Sequence, residues 1–176
     1  SVSEDYFYLM LSPQAIKRSN PYNKEEEKLL RELLVKTINA RDINFIAIGA
    51  GELWYLKYGL QYTNKYISIE PSMDIYLSSS IKYLVKQMKN IILISKKFGD
   101  VQSTEIPSGN SIFVFLFNIL AYIDNPISSI NKLLRKGDIL FISSWNNKNE
   151  RAKSVRTKYF NYLNSFEKEI VINPED

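Results

Sequence analysis

The sequence predicts an α/β fold: a doubly wound, mainly parallel sheet of six to seven strands with helices on both faces. Three observations carry that expectation. Short apolar runs of strand length alternate with segments of helical period along most of the chain. The first run ends in Gly49-Ala50-Gly51, where glycines let the backbone turn sharply and approach a ligand. The second run ends in an acid, Glu70, about twenty residues on, the spacing at which a carboxylate reaches ribose hydroxyls. Together these features mark a nucleotide-type cofactor site at one edge of the sheet.

Residues 1–22 are aromatic-rich and irregular, with Tyr6, Phe7, Tyr8 and Tyr22 set among Pro13 and Pro21, and read as an arm or lid before a domain of residues 23–176. Asn23 and Glu26 have capping-box spacing, and Leu29, Leu30, Leu33, Leu34 and Ile38 recur at helical intervals, predicting a helix over 24–40. A strand at 44–48 follows, then a helix over 51–58 with Gly59 as its C-cap. A second strand at 65–69 leads to Ser72, which caps a helix reaching Met88. The third strand is 90–95. The fourth, 111–117, is apolar throughout, as a strand buried on both faces requires. Pro126 opens a helix that closes before Gly137, and 138–143 is the fifth strand. A charge-rich helix over 148–166 and a short strand at 169–172 complete the chain, with no linker, repeat or second domain.

Composition bounds the chemistry. At 176 residues the chain fits one domain that buries about two-thirds of its unfolded surface. A content of 45% hydrophobic and 24% charged residues suits a soluble protein, and no apolar run approaches the roughly eighteen residues of a membrane helix. No secretory leader is visible, so the cytoplasm is the expected compartment. The chain has neither cysteine nor histidine. Disulfides, thiol nucleophiles and Ser-His-Asp or Cys-His chemistry are excluded, the commonest metal ligand is missing, and no metal is expected. Any catalysis relies on carboxylates, tyrosines, amides, backbone groups or a cofactor. The net charge of +4 is too mild to single out an anionic partner.

In a doubly wound sheet the ligand lies at the carboxyl ends of the strands, where the strand order reverses. The segments predicted to end there are Gly49-Ala50-Gly51-Glu52, Glu70-Pro71-Ser72, Phe98-Gly99-Asp100 with Ile106-Pro107, and Phe117-Asn118 through Tyr122. A dinucleotide fingerprint would place a third glycine at position 54; Trp54 stands there and disfavours NAD. After the third strand, a flat apolar side chain can pack on a purine while a carboxylate accepts from its exocyclic amine. The plainer alternatives are a tight turn without ligand, a solvated acid, an ordinary loop, and a strand-ending amide followed by a core tyrosine.

Taken in this order, the segments resemble the class I S-adenosylmethionine-dependent methyltransferases over about residues 43–144. Ile46-Ala47-Ile48-Gly49-Ala50-Gly51 is similar to the family's first motif, and Tyr66-Ile67-Ser68-Ile69-Glu70-Pro71-Ser72 to its ribose-binding strand. Gly99-Asp100 with Ile106-Pro107 resembles the adenine-side loop, and Asp124-Asn125-Pro126 through Ser143 the helix, turn and fifth strand after the catalytic loop. The resemblance implies a Rossmann-like domain that binds S-adenosylmethionine and releases S-adenosylhomocysteine. It places Gly49, Ala50 and Gly51 against the methionine part, with Glu52 a substitute anchor. Glu70, followed by Pro71, would bind both ribose hydroxyls, and Asp100, after Gly99, the adenine amine. Asn118 would lie near the transferring methyl group, and Asn118 or Tyr122 would orient the acceptor. The chain departs from the family at Ala47, usually acidic, at Leu53, usually glycine, and at a C-terminal edge one strand short, which a partner domain or chain would complete.

A small-molecule or peptide acceptor is the implied substrate. Lys148, Arg151, Lys153, Arg156 and Lys158, with Tyr159 and Tyr162, have the make-up of a phosphate-tracking face, but Glu150 among them suits a solvated helix, so nucleic acid is left open and not favoured. A rival expectation, from Ala47, Leu53 and the short C-terminus, is a degenerate methyltransferase fold that serves as a binding or scaffold subunit.

Overall fold

The computed structural model describes residues 21–37, 42–49, 53, 56–116 and 119–144, and the isolated positions 148, 150, 153, 154 and 157. Two compact units are present, Ser1–Ser143 and Ser144–Asp176. The expected arm over 1–20, the last strand at 169–172 and most of the charge-rich helix lie outside the described residues.

Helix α1 spans Pro21–Lys36 and buries Leu30 and Leu34, one turn apart, each 1% exposed. It starts earlier than the leucine pattern indicates because proline is well suited to the first turn, where its missing N–H is not needed. Asn23 is therefore inside the helix rather than its cap. The next elements are β1 (Asn44–Ile48), α2 (Leu56–Tyr62), β2 (Lys65–Ile69), the one-turn α3 (Met73–Tyr76), α4 (Ser79–Lys86) and β3 (Ile91–Ile94). β4 (Ser111–Phe115), α5 (Pro126–Leu133) and β5 (Ile139–Ile142) follow.

The strands form one sheet in the order β3-β2-β1-β4-β5, and every pairing is parallel. The expected six to seven strands are thus five among the described residues. The chain moves outward from β1 through β2 to β3, then returns to the other side of β1 and moves outward again, so the order reverses between β1 and β4. All five residues of β1 and of β4 are buried, as expected for strands covered on both faces.

Alternation along the strands divides the interior in two. Phe45, Ala47, Tyr66, Ile112 and Val114 join Leu30 and Leu34 of α1, Leu56 of α2 and Val85 of α4 in one core. Ile46, Ile48, Ile67, Ile69, Phe113 and Phe115 join Ile130 and Leu133 of α5, together with Phe98, Val101 and Ile106, in the other. Helices therefore cover both faces. Each fully buried Leu, Ile or Phe contributes about 1.5–3 kcal/mol, so the strand residues dominate the stabilisation.

Two local expectations are corrected. Gly59 is not a C-cap but sits inside α2, where an added Cβ would collide with the Tyr66 ring. Its lack of a side chain lets α2 approach β2 closely. The predicted helix from Ser72 to Met88 is broken at Leu77, which is extended (φ −112°, ψ 122°) and 2% exposed. Burying Leu77 interrupts the helix. Ser72 makes no side-chain cap; Ser78 does, its Oγ accepting from Ile81 N–H at 3.3 Å.

The crossover from β3 to β4 contains two 3-10 turns, Phe98–Asp100 and Ser103–Glu105, and no α-helix. It is fastened by residues of α5 and the turn after it, which pack on the same core. The Arg135 guanidinium donates to the carbonyls of Pro107 (2.7 Å), Ser103 (3.1 Å), Ile106 (3.2 Å) and Gly109 (3.3 Å). Lys132 Nζ donates to Gly99 O at 2.8 Å. Asp138 accepts from Ser111 N–H at 2.8 Å and from Arg135 N–H at 2.7 Å, joining the start of β4 to the turn before β5.

Candidate functional site

Strand register brings the sequence-predicted segments to one edge. Ile48 aligns with Ile69 and with Phe115; Ile69 aligns with Ile94, and Phe115 with Ile142. The strands therefore end flush, and Gly49, Glu70, Ser95, Leu116 and Ser143 form the next row along the carboxyl edge.

Gly49 continues the ladder by donating its N–H to Ile69 O at 2.8 Å, then turns with φ +66°. That dihedral favours glycine, and an added Cβ would stand 2.6 Å from Ile119 Cγ1. Ile119, the first residue of a 3-10 turn over Ile119–Tyr122, thus packs across the reversal point against the end of β1. Leu53 also has a left-handed backbone, φ +59°, yet it is a leucine and 1% exposed. The strain costs about 1–2 kcal/mol. Burying the side chain gains about 1.5–3 kcal/mol, so packing outweighs strain. Ala47 is a core residue, 1% exposed, aligned with Ser68 and Val114.

Glu70 is 6% exposed. Its N–H donates to Ile94 O at 3.1 Å, which fixes the backbone, and its Oε1 accepts from Ser72 N–H at 2.9 Å, which fixes the side chain. Among the described residues no other hydrogen bond or ion pair reaches this carboxylate. A nearly buried acid with one oxygen unengaged suits a ligand that brings its own hydroxyl donors. Pro71 is exposed beside it.

Gly99 and Asp100 are exposed in the first 3-10 turn, and the Asp100 carboxylate has no partner among the described residues. The expectation that Phe98 packs on a purine is overturned. Phe98 is 4% exposed and meets Phe115 edge-on at 5.4 Å, so it belongs to the second core. Tyr122 is 64% exposed and is not a core residue. Ala50, Gly51, Glu52, Trp54 and Asn118 lie outside the described residues.

Sequence reasoning missed Ile119, the Ser72 N–H that orients Glu70, and the bond from Ser143 Oγ to Glu26 Oε2 at 2.5 Å. Only the Glu70–Ser72 pair had a local signal: an acid two residues before a backbone N–H in a strand-ending turn. The described residues contain no group of three or more His, Cys, Asp or Glu that could hold a metal, and no helix long and apolar enough to cross a membrane.

No protein-family model and no curated protein sequence matches the chain. Solved structures do. The DhpI-SAM-HEP complex superposes with a TM-score of 0.50 at 9% identity, over 89% of this chain and 73% of that one. A SAM dependent methyltransferase from Aquifex aeolicus superposes with a TM-score of 0.50 at 16% identity, over 85% and 86%. This chain has the class I methyltransferase fold. The plantazolicin methyltransferase BpumL in complex with SAH has the same TM-score, 0.50, at 14% identity, over 90% of this chain and 59% of its own. At such identities the likeness concerns the fold. Within the methyltransferase fold, the row from Gly49 to Glu70 occupies the carboxyl edge beside the reversal in strand order, where ligands of open α/β sheets bind.

Proposed function

We propose that this protein binds S-adenosylmethionine along the carboxyl edge and transfers its methyl group to a small-molecule or peptide acceptor, releasing S-adenosylhomocysteine. The observation that carries the proposal is Glu70: a carboxylate 6% exposed, held through Oε1 by Ser72 N–H, at the end of the strand next to the reversal point. The oxygen that no described residue engages fits a ribose diol, so the acceptor chemistry of the site matches the hydroxyl donors of this cofactor. Gly49, Ala50 and Gly51, with Glu52, would hold the methionine part; Glu70, beside Pro71, the ribose; and Asp100, after Gly99, the adenine amine. When bound, the cofactor supplies an electrophilic methyl group on a sulfonium.

The protein's part is then positioning, which is why a site without histidine suffices. Fixed backbone at Gly49 and Glu70 would orient the methionine part and the ribose of the cofactor, and Asn118 and Tyr122 would align the acceptor for in-line displacement. The exposed ring and hydroxyl of Tyr122 offer such an acceptor both a flat face and a hydrogen bond.

Calorimetry tests the proposal. The unmodified protein should bind both S-adenosylmethionine and S-adenosylhomocysteine. Glu70→Ala should weaken both by about tenfold to several hundredfold, the worth of one or two hydrogen bonds to a charged group. No binding by the unmodified protein would sink the proposal. The left-handed Leu53 and the core-bound Ala47 favour a second reading, a binding or scaffold subunit without turnover. Cofactor binding with no methyl transfer across small-molecule, peptide and RNA acceptors would select it.

A further inference from the structure

We propose that Ser143 binds the methyl acceptor: its hydroxyl oxygen, oriented by Glu26, takes a hydrogen bond from an N–H or O–H of a substrate that is an amine, a phenol or an alcohol. The assignment rests on the cofactor reading above. Glu26 is a positioning residue that acts through the serine. Glu26, Leu30 and Leu34 follow one another a turn apart and share one face of α1. The two leucines are buried in the first core, and Glu26 carries that stripe on to the carboxyl edge. The end of β5 meets it there. Ile139 and Phe141 pack on the same core, and by alternation Ser143 faces the same side. Its N–H donates to Phe115 O at 2.8 Å, which fixes the backbone, and its Oγ donates to Glu26 Oε2 at 2.5 Å, which fixes the hydroxyl.

The direction of that second bond decides the chemistry. An ionised carboxylate only accepts, so the single hydroxyl proton of Ser143 is committed to Glu26 and the oxygen keeps only lone pairs for a ligand. Among the described residues no other hydrogen bond reaches this oxygen, and the serine is half-buried rather than sealed. A group that meets it must bring a donor. Without the carboxylate the hydroxyl would rotate to suit either kind of ligand.

Position assigns the ligand. Glu70 lies one strand to one side of Gly49, whereas Ser143 lies two strands to the other, about 10 Å away at the usual strand spacing. On the cofactor reading the ribose is at Glu70, so a group at Ser143 belongs to the methyl acceptor.

Equilibrium binding to the full chain, with S-adenosylhomocysteine present, tests the assignment. The probes are pairs that share skeleton and charge: p-cresol and its methyl ether, benzyl alcohol and its methyl ether, benzylamine and benzyltrimethylammonium. One member of each pair has an N–H or O–H, and the other has none. The unmodified protein should prefer the protic member by about three- to tenfold, the worth of one hydrogen bond. Ser143→Ala should erase that preference, Ser143→Thr should keep it, and Glu26→Gln should reduce it by freeing the hydroxyl to donate. S-adenosylhomocysteine affinity should be unchanged in all three variants. A bond that only fastens α1 to β5 would lower the thermal midpoint in the variants and leave the preference as it was.

A preference that survives Ser143→Ala, equal binding of both members, or no binding of any probe would overturn the assignment while leaving the cofactor reading intact. An unmodified protein that binds no S-adenosylhomocysteine would overturn both.

Discussion

Single residues in this fold carry opposite kinds of tension. Leu53 holds a strained backbone because its side chain is buried, whereas Tyr66 and Ser68 hold relaxed strand backbone with hydroxyls that lack a partner among the described residues. Both hydroxyls are fully buried on the same face of β2. Burial raises the Tyr66 phenol far above its ordinary pKa, since the charged form cannot be solvated there, so it stays neutral wherever the protein is folded. Tyr66→Phe keeps the ring stacked on Phe45, 5.3 Å away, and removes only the unsatisfied oxygen. It should raise stability by about 1 kcal/mol, seen as a higher urea midpoint at unchanged slope. A lower midpoint would mean that the hydroxyl has a partner after all. The candidacy of Glu70 was legible from its place in the sequence; its burial was not, because burial depends on what β3 and the Ser72 turn place around it.

Helices and strands were read well where periodicity was strong and poorly where one contact overrode it. β1 and β2 have the bounds expected from their apolar runs, because Phe45, Ile46 and Ile48, and Tyr66, Ile67 and Ile69, are strand formers with no helical spacing between breaks in the pattern. Helix α2 is instructive in the other direction. Glycine after a short helical run signals a cap, yet Gly59 is interior because α2 lies close against the Tyr66 ring. Alanine would gain about 1 kcal/mol of helix propensity at this position. The overpacking it introduces forces side-chain and backbone shifts that cost about 1–3 kcal/mol. Gly59→Ala should therefore destabilise, lowering the thermal midpoint. A rise would mean that α2 can move off the sheet. The break at Leu77 has a similar origin: a buried leucine decided the bend, and no local pattern announced it.

Across the whole molecule, long-range polar clamps hold what the sheet does not. Arg135, just after α5, binds four carbonyls of the β3–β4 crossover, a segment without an α-helix of its own. Arg135→Ala strips those carbonyls of their donor. It should cost about 2–4 kcal/mol, the range for hydrogen bonds to a charged group discounted for partial exposure, and should expose residues 103–109 to proteolysis before the sheet unfolds. Equal protection of that loop in both proteins would sink the idea. The sequence by itself determined the alternation of strands and helices, the buried character of β1 and β4, and the candidacy of Gly49 and Glu70, because these depend on local periodicity and on the backbone freedom of glycine. The tertiary structure alone decided that β4 returns beside β1, that Ile119 covers Gly49, that Phe98 is core rather than ligand platform, and that Leu53 is pinned in a glycine-like conformation. Those outcomes arise from contacts between residues far apart in the chain, whose strength is set by packing rather than by any residue's own preference.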